Sequence, residues 1–211
     1  LAIELLVKQG YSYTHGTELA PDAAHPERAS FSEVFLEGRL RAAVAQLNPL
    51  IPLDAQEQAI KEVLRISPLE LLAANESFHK LLTNGVEVEY RHEGRTKGDK
   101  VWLVDFDRPD VNDCLAVNQF TTVENHVNKR PDLILFINGL PLVVIGLKNA
   151  ASEHATAWSA YEQLQTYKST LPRLFVAKGL LVASDGLAAR IGSLSAEYTR
   201  FMAWKTADGE K

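Results

Sequence analysis

The chain predicts an α/β fold: a mixed central sheet flanked by helices, with a helical layer contributed by its N-terminal part. Three observations carry this. Apolar residues recur with a helical period from Ile3 to Thr83, and after Gly85 the period drops to two. Two apolar runs meet at Asn138-Gly139, the strongest short-range hairpin signal. Helices, then strands, then a helix and a last strand make an α/β core, with residues 1–84 as a mainly helical region packed on a core at 85–211, expected to form one compact domain overall.

Taken in order, Ile3, Leu5, Leu6 and Val7 predict a short helix that stops before Gly10, and a polar loop with Pro21, His25 and Pro26 follows. Ser32, Phe35, Leu36, Leu40, Ala43, Val44 and Leu47 share a helical period that ends at Asn48-Pro49. Helices are expected from Asp54 to about Ile66 and from Pro68 to about Thr83. Ser67 before Pro68 forms an N-cap and N1 pair, and Gly85 is the stop. Val86, Val88 and Tyr90 alternate with Glu87, Glu89 and Arg91 as a half-exposed strand. Gly94 to Asp99 is expected to turn, and Lys100 to Phe106 to return.

Leu115 to Val123 predicts a further strand, and Arg130 to Lys148 a buried hairpin. Glu153 to Thr170 reads as a long helix ending before Pro172. Phe175 to Ala183 reads as a β segment interrupted at Gly179, followed by an Asp185-Gly186 turn and a terminal amphipathic helix near Glu197 to Trp204.

Composition bounds the function. The 211 residues can bury a substantial core, and 46% hydrophobic residues with three Trp exclude a disordered chain. A single cysteine, Cys114, excludes an internal disulfide framework and fits a reducing cytoplasm. No apolar run approaches the roughly 18 residues that span a bilayer, and no basic-then-apolar leader is present, so no membrane partner is expected. The six His are never paired at ligand spacing, which argues against structural zinc, and no GK[S/T] phosphate loop is present. The net charge of −5 argues against tight DNA binding by the chain alone, because Lys and Arg supply most non-specific affinity for phosphates.

The hairpin carries the candidate chemistry. Asp132 stands at the outer end of its first strand and Lys148 at the end of its second, so folding brings the two charges to one end. A lysine that closes an apolar strand is costly to bury without a partner.

Pro131-Asp132 and Lys148 resemble the PD-(D/E)xK nuclease motif, with Gly146 where the second acid should stand. From Phe31 onward the chain is similar to the N-terminal nuclease domain of the restriction (R, motor) subunit of type I restriction–modification enzymes. The resemblance runs through Asn118-Gln119-Phe120, Arg130-Pro131-Asp132, Leu135-Phe136, Asn138 to Leu142, Gln163 to Lys168, Leu171 to Phe175, Ser184-Asp185-Gly186 and Trp204-Lys205-Thr206.

The resemblance implies Mg²⁺-dependent cleavage of double-stranded DNA after ATP-driven translocation. ATP would bind only the parent subunit's motor region, and the partners would be the methylation and specificity subunits. Asp132 and the Leu147 backbone carbonyl would be metal ligands, Lys148 would orient the attacking water, and an early-helix acid, Glu33 beside its i,i+4 neighbour Glu37, would be a further ligand. Mg²⁺ prefers octahedral oxygen ligands, so each lost carboxylate should matter. Gln163 and Tyr167 share one helical face and match the QxxxY motif that supports DNA or the catalytic groups in that family.

Gly146 is expected to leave a small void in its strand and to impair cleavage. It also keeps open a second reading, a degenerate nuclease fold used for docking or DNA guidance. A stand-alone recombination-type nuclease would share the core but not the type I flanking segments. A start at Leu1 without Met and an end at Gly209-Glu210-Lys211 are expected of a fragment that stops before the motor region.

Overall fold

The computed structural model of the protein describes residues 2–148 and 156–204. It is an α/β fold built on a seven-stranded mixed sheet. The strands are β1 (Ser12–His15), β4 (Cys114–Asn118), β7 (Leu133–Ile137), β8 (Leu140–Leu147), β9 (Leu180–Ser184), β10 (Ala189–Gly192) and β11 (Met202–Ala203), in that spatial order. β1 runs parallel to β4 and β8 parallel to β9, and the other neighbours are antiparallel. Two small antiparallel ribbons stand apart: β2 (Val86–His92) with β3 (Arg95–Val101), and β5 (Thr122–Glu124) with β6 (Val127–Lys129).

Strand alternation sorts the side chains into two cores. Ile134, Phe136 and Val144 enter the large core with residues of α2 (Glu37–Leu47), α3 (Leu53–Leu64), α4 (Leu71–Asn84), α5 (Ala157–Thr170) and α6 (Pro172–Phe175). Leu133, Leu135, Ile145 and Val182 point the other way, under Ile3 and Leu6 of α1 (Ala2–Lys8).

The β7–β8 turn locks these layers together. Asn138 is buried with a left-handed φ of 52°, and its side chain accepts from Asp113 N–H while donating to Leu103 O and Asn112 Oδ1. Gly139 accepts from Leu36 N–H at 2.9 Å, and any Cβ at Gly139 would collide with the Leu36 carbonyl. The first turn of α2 therefore sits directly on the hairpin turn.

Several elements differ from the sequence expectation, each for a local reason. The helix expected from Ser32 begins at Glu37, because Leu36 N–H is committed to Gly139. Ser67 makes no side-chain cap, and a 3₁₀ turn at Pro68–Glu70 precedes α4. The turn of the first ribbon is Glu93-Gly94, both at positive φ, so β3 starts at Arg95 rather than Lys100. The strand expected over Leu115–Val123 breaks at Gln119, whose φ is 55°, and its second half pairs with β6 across an Asn125-His126 turn.

β1 lay inside the expected polar loop, and it pairs as an edge strand through its backbone despite having no apolar run. The terminal helix expected near Glu197–Trp204 is instead a 3₁₀ turn at Tyr198–Arg200 followed by β11, which pairs with β10. Phe201 is buried against Gly192, and Met202 pairs with Ile191, which leaves no helical face to bury. Phe175 to Ala177 belong to α6 and its exit, so the β segment begins only after Gly179. The expected helix start at Glu153 lies outside the described residues.

Lys178 is the most costly group in the large core. It is 1% exposed, and among the described residues its ammonium donates to the Pro141 carbonyl alone, at 2.6 Å. Burial pushes its pKa well below the ordinary lysine value of 10.5. The unfolded chain holds this proton more tightly than the folded one, so the associated stability is complete above the ordinary value and is lost as pH falls toward the lowered one. Urea denaturation of Lys178→Met should show a gain in stability at neutral pH that shrinks toward pH 10. A parallel pH dependence in the two proteins would mean that Lys178 is not desolvated.

Candidate active site

The site forms at the end of the sheet where β4, β8 and β9 finish and β7 begins. The β7–β8 register pairs Leu133 with Ile145, so Asp132 stands one step beyond, opposite Gly146. Asp132 Oδ2 accepts from Leu147 N–H at 2.9 Å, and the Asp132 carbonyl accepts from Gln119 N–H at 3.1 Å. Lys148 continues the β8 path, its N–H donating to Ser184 O at 2.8 Å, on the same alternation as Gly146. A pocket of about 210 Å³ beside Asp132 is lined by Ile3, Asn118, Gln119, Leu133 and Leu147. Gly16 lets the end of β1 approach this corner, since a Cβ there would lie 2.8 Å from Phe120 Cα.

Helix α5 crosses the same end. Its start is fixed by a Thr156–Ser159 capping box and by Asp185 Oδ2, which accepts from Ala157 N–H at 3.2 Å. Backbone N–H bonds, that of Ala188 foremost, hold the Asp185 carboxyl below its usual range. Further along, Gln163 Nε2 donates to Tyr167 Oη. The Tyr167 hydroxyl is pushed up chiefly by burial, with the nearby Asp132 charge adding to it. The helix therefore carries Tyr167, with Gln163 bonded to it, within electrostatic reach of Asp132. Gln163 Oε1 is buried with no hydrogen-bond partner among the described residues.

Gly146 does not leave a void. A Cβ at this position would stand 3.3 Å from both Ala160 O and Leu164 Cγ, so α5 has settled onto the glycine. Nor does Glu33 share a helix with Glu37. It precedes α2, and its carboxylate accepts from Ala29 N–H at 2.8 Å. Its carbonyl and that of Thr121 hold the buried Arg28, whose guanidinium lies 3.8 Å over the Phe120 ring. Burial lowers the pKa of Arg28 to about 10, with Glu33 opposing the shift. Glu33 thus has local structural work near Arg28.

These residues do not fit a hard divalent cation. Even counting the Leu147 carbonyl, the corner supplies one carboxylate, and among the described residues no three His, Cys, Asp or Glu come together. Sequence reasoning missed Ile3 and Gln119 as lining and Asp185 as the anchor of α5. Asn118-Gln119 and Asp185 fall within segments that carried the resemblance, whereas nothing local marks the docking of α1.

The family model for the type I restriction enzyme R protein N terminus matches residues 1–200. The chain is 40% identical over 209 residues to the type I restriction enzyme HindI endonuclease subunit of Haemophilus influenzae. It is 33% identical over 212 residues to a putative type I restriction enzyme MjaIXP endonuclease subunit of Methanocaldococcus jannaschii. Each alignment covers 99% of this chain and 20% of the relative, so the chain spans a fifth of the length of these proteins.

The close seat of α5 yields a test. Gly146→Ala should destabilise the chain by about 1 kcal/mol in urea, the overpacking cost exceeding the benefit of removing a strand glycine. Adding Leu164→Ala should make the pair strongly non-additive, because the new methyl then has room. Strict additivity would mean that α5 does not rest on Gly146.

Proposed function

The chain belongs to the type I restriction enzyme R protein N-terminal family, and from that premise we propose that it is the nuclease region of such a subunit, impaired in cutting by Gly146. Its substrate is double-stranded DNA, delivered by an ATP-driven motor elsewhere in the parent subunit, and its partners are the methylation and specificity subunits, in the cytoplasm. The observation that carries this reading is that Asp132, Gly146 and Lys148 meet at one end of the β7–β8 hairpin, where α5 packs through Ala160 and Leu164 and carries the bonded Gln163–Tyr167 pair. Among the described residues no helix is long and apolar enough to cross a membrane.

In this reading Asp132 is the remaining acid, held in place by Leu147 N–H. Lys148 offers a cation to developing negative charge, and the Gln163–Tyr167 pair positions groups beside Asp132. Mg²⁺ would supply activation of a water, and the missing acid at position 146 is what the corner lacks to hold it. A second reading, a nuclease fold kept for docking or guiding DNA, is favoured by one observation: α5 is packed onto Gly146 as onto a settled structural glycine.

Placed in the full parent subunit with its partners, Gly146→Glu should raise Mg²⁺-dependent cleavage by on the order of 10²–10³ and leave translocation unchanged. Calorimetry on the chain should show Mg²⁺ binding appear with Gly146→Glu and vanish again with Asp132→Asn added. Equal cleavage with glycine and glutamate would remove Gly146 from the role of the missing acid. In the Gly146→Glu subunit, Tyr167→Ala should reduce cleavage while ATP hydrolysis continues. If cleavage is undiminished, the QxxxY face is only a packed helix surface.

A further inference from the structure

The β2–β3 ribbon changes character along its length. Near its base, Val86, Val88 and Tyr90 of one face are buried, while Glu87 and Glu89 face outward. Beyond Tyr90 every residue from Arg91 to Gly98 is exposed, on both faces. Pairing puts Arg91 opposite Thr96 on one face, and His92 opposite Arg95 on the other, beside Lys97. With His92 neutral, residues 91–98 carry a net charge of +2, from Arg91, Arg95 and Lys97 against Glu93, in a chain whose net charge is −5. Lys97 is paired with Asp99 at 3.0 Å, whereas Arg91 and Arg95 have no ion pair among the described residues.

An isolated two-stranded ribbon gains little stability from its own pairing. Its tip buries nothing here, so core packing does not account for the residues it carries. We propose that the Arg91–Lys97 tip is a contact surface for the backbone of duplex DNA. A two-stranded ribbon fits a DNA groove, and cations on both of its faces match the two phosphate walls that flank one. On the outer face at the base, Lys100 stands opposite Glu87 and Glu89 stands opposite Gly98, so the two acids offset the one cation there, and Arg91 and Arg95 lie at the tip. This inference rests on the nuclease-subunit reading and adds to it a DNA contact outside the Asp132 corner.

The test is fluorescence anisotropy with the full 211-residue chain and a labelled DNA duplex a few helical turns long, titrated over a range of salt. Replacing both arginines (Arg91→Ala with Arg95→Ala) should flatten the slope of log K against log salt by about 2, because two phosphate contacts are lost. The doubly conservative Arg91→Lys, Arg95→Lys chain should keep the slope. An unchanged slope in the alanine variant, no duplex binding by the unmodified chain at low salt, or an equally large loss on single-stranded DNA would each overturn the proposal. Failure of the ribbon arm while Gly146→Glu restores cleavage would sink the ribbon and leave the nuclease reading standing.

Discussion

The Asn138-Gly139 turn is the constraint on which the rest of the structure depends. Its backbone adopts a left-handed conformation that only these residue types enter cheaply, with φ of 52° and 76°. Asn138 then uses its amide to tie Leu103, Asn112 and Asp113 to the turn, and Gly139 admits the first turn of α2 against the hairpin. A turn fixed from both sides leaves one register for β7 and β8. A slip by one residue would move Ile134 and Phe136 out of the large core and carry Asp132 away from Gly146. The corner is thus positioned from the opposite end of the hairpin, and the bulge at Leu135/Phe136 is absorbed between the two ends.

The features legible in the sequence were those whose physics is local. The hairpin could be read because Asn-Gly and two apolar runs suffice to specify it. The QxxxY face could be read because an i,i+4 spacing fixes which side chains share a side of α5. The edge strand β1 could not, because Ser12–His15 contribute backbone hydrogen bonds to β4 and no apolar signature. The Asn125-His126 turn was hidden because it reaches positive φ without glycine. Helical periodicity near Glu197–Trp204 misled because Phe201 and Met202 satisfy a strand edge and a core pocket together. Glu33 and Glu37 have helical spacing, yet Leu36 N–H is taken by Gly139, so tertiary contact overrode the period.

Gly146 shows packing and chemistry drawing on the same position. A carboxylate there would add an anionic oxygen beside Asp132, but its Cβ would press Leu164 and the Ala160 carbonyl at 3.3 Å. α5 lies against the glycine, and Gln163 Oε1 on the same helix is buried with no hydrogen-bond partner among the described residues. An unsatisfied buried amide oxygen costs about 1–3 kcal/mol, so the settled helix is not free of penalty. If the corner is the nuclease site proposed, its packing suits a glycine at 146 while Asp132, Gln163 and Tyr167 remain beside it.

Charge has to be read locally in this molecule. A net charge of −5 disfavours DNA across the surface as a whole, and the Asp132 corner, with an acid of its own, cannot attract phosphates unaided. Screening confines such effects to about 10 Å at ordinary ionic strength, so distant carboxylates do not cancel a protruding tip. The β2–β3 ribbon presents three cations against one acid, Glu93, beyond the point where its packing ends. A chain that binds DNA weakly overall but meets it at one exposed projection is suited to a duplex brought by a larger assembly. Under the proposed function, affinity would come from the machine that moves the DNA, and this region would need only to orient what arrives.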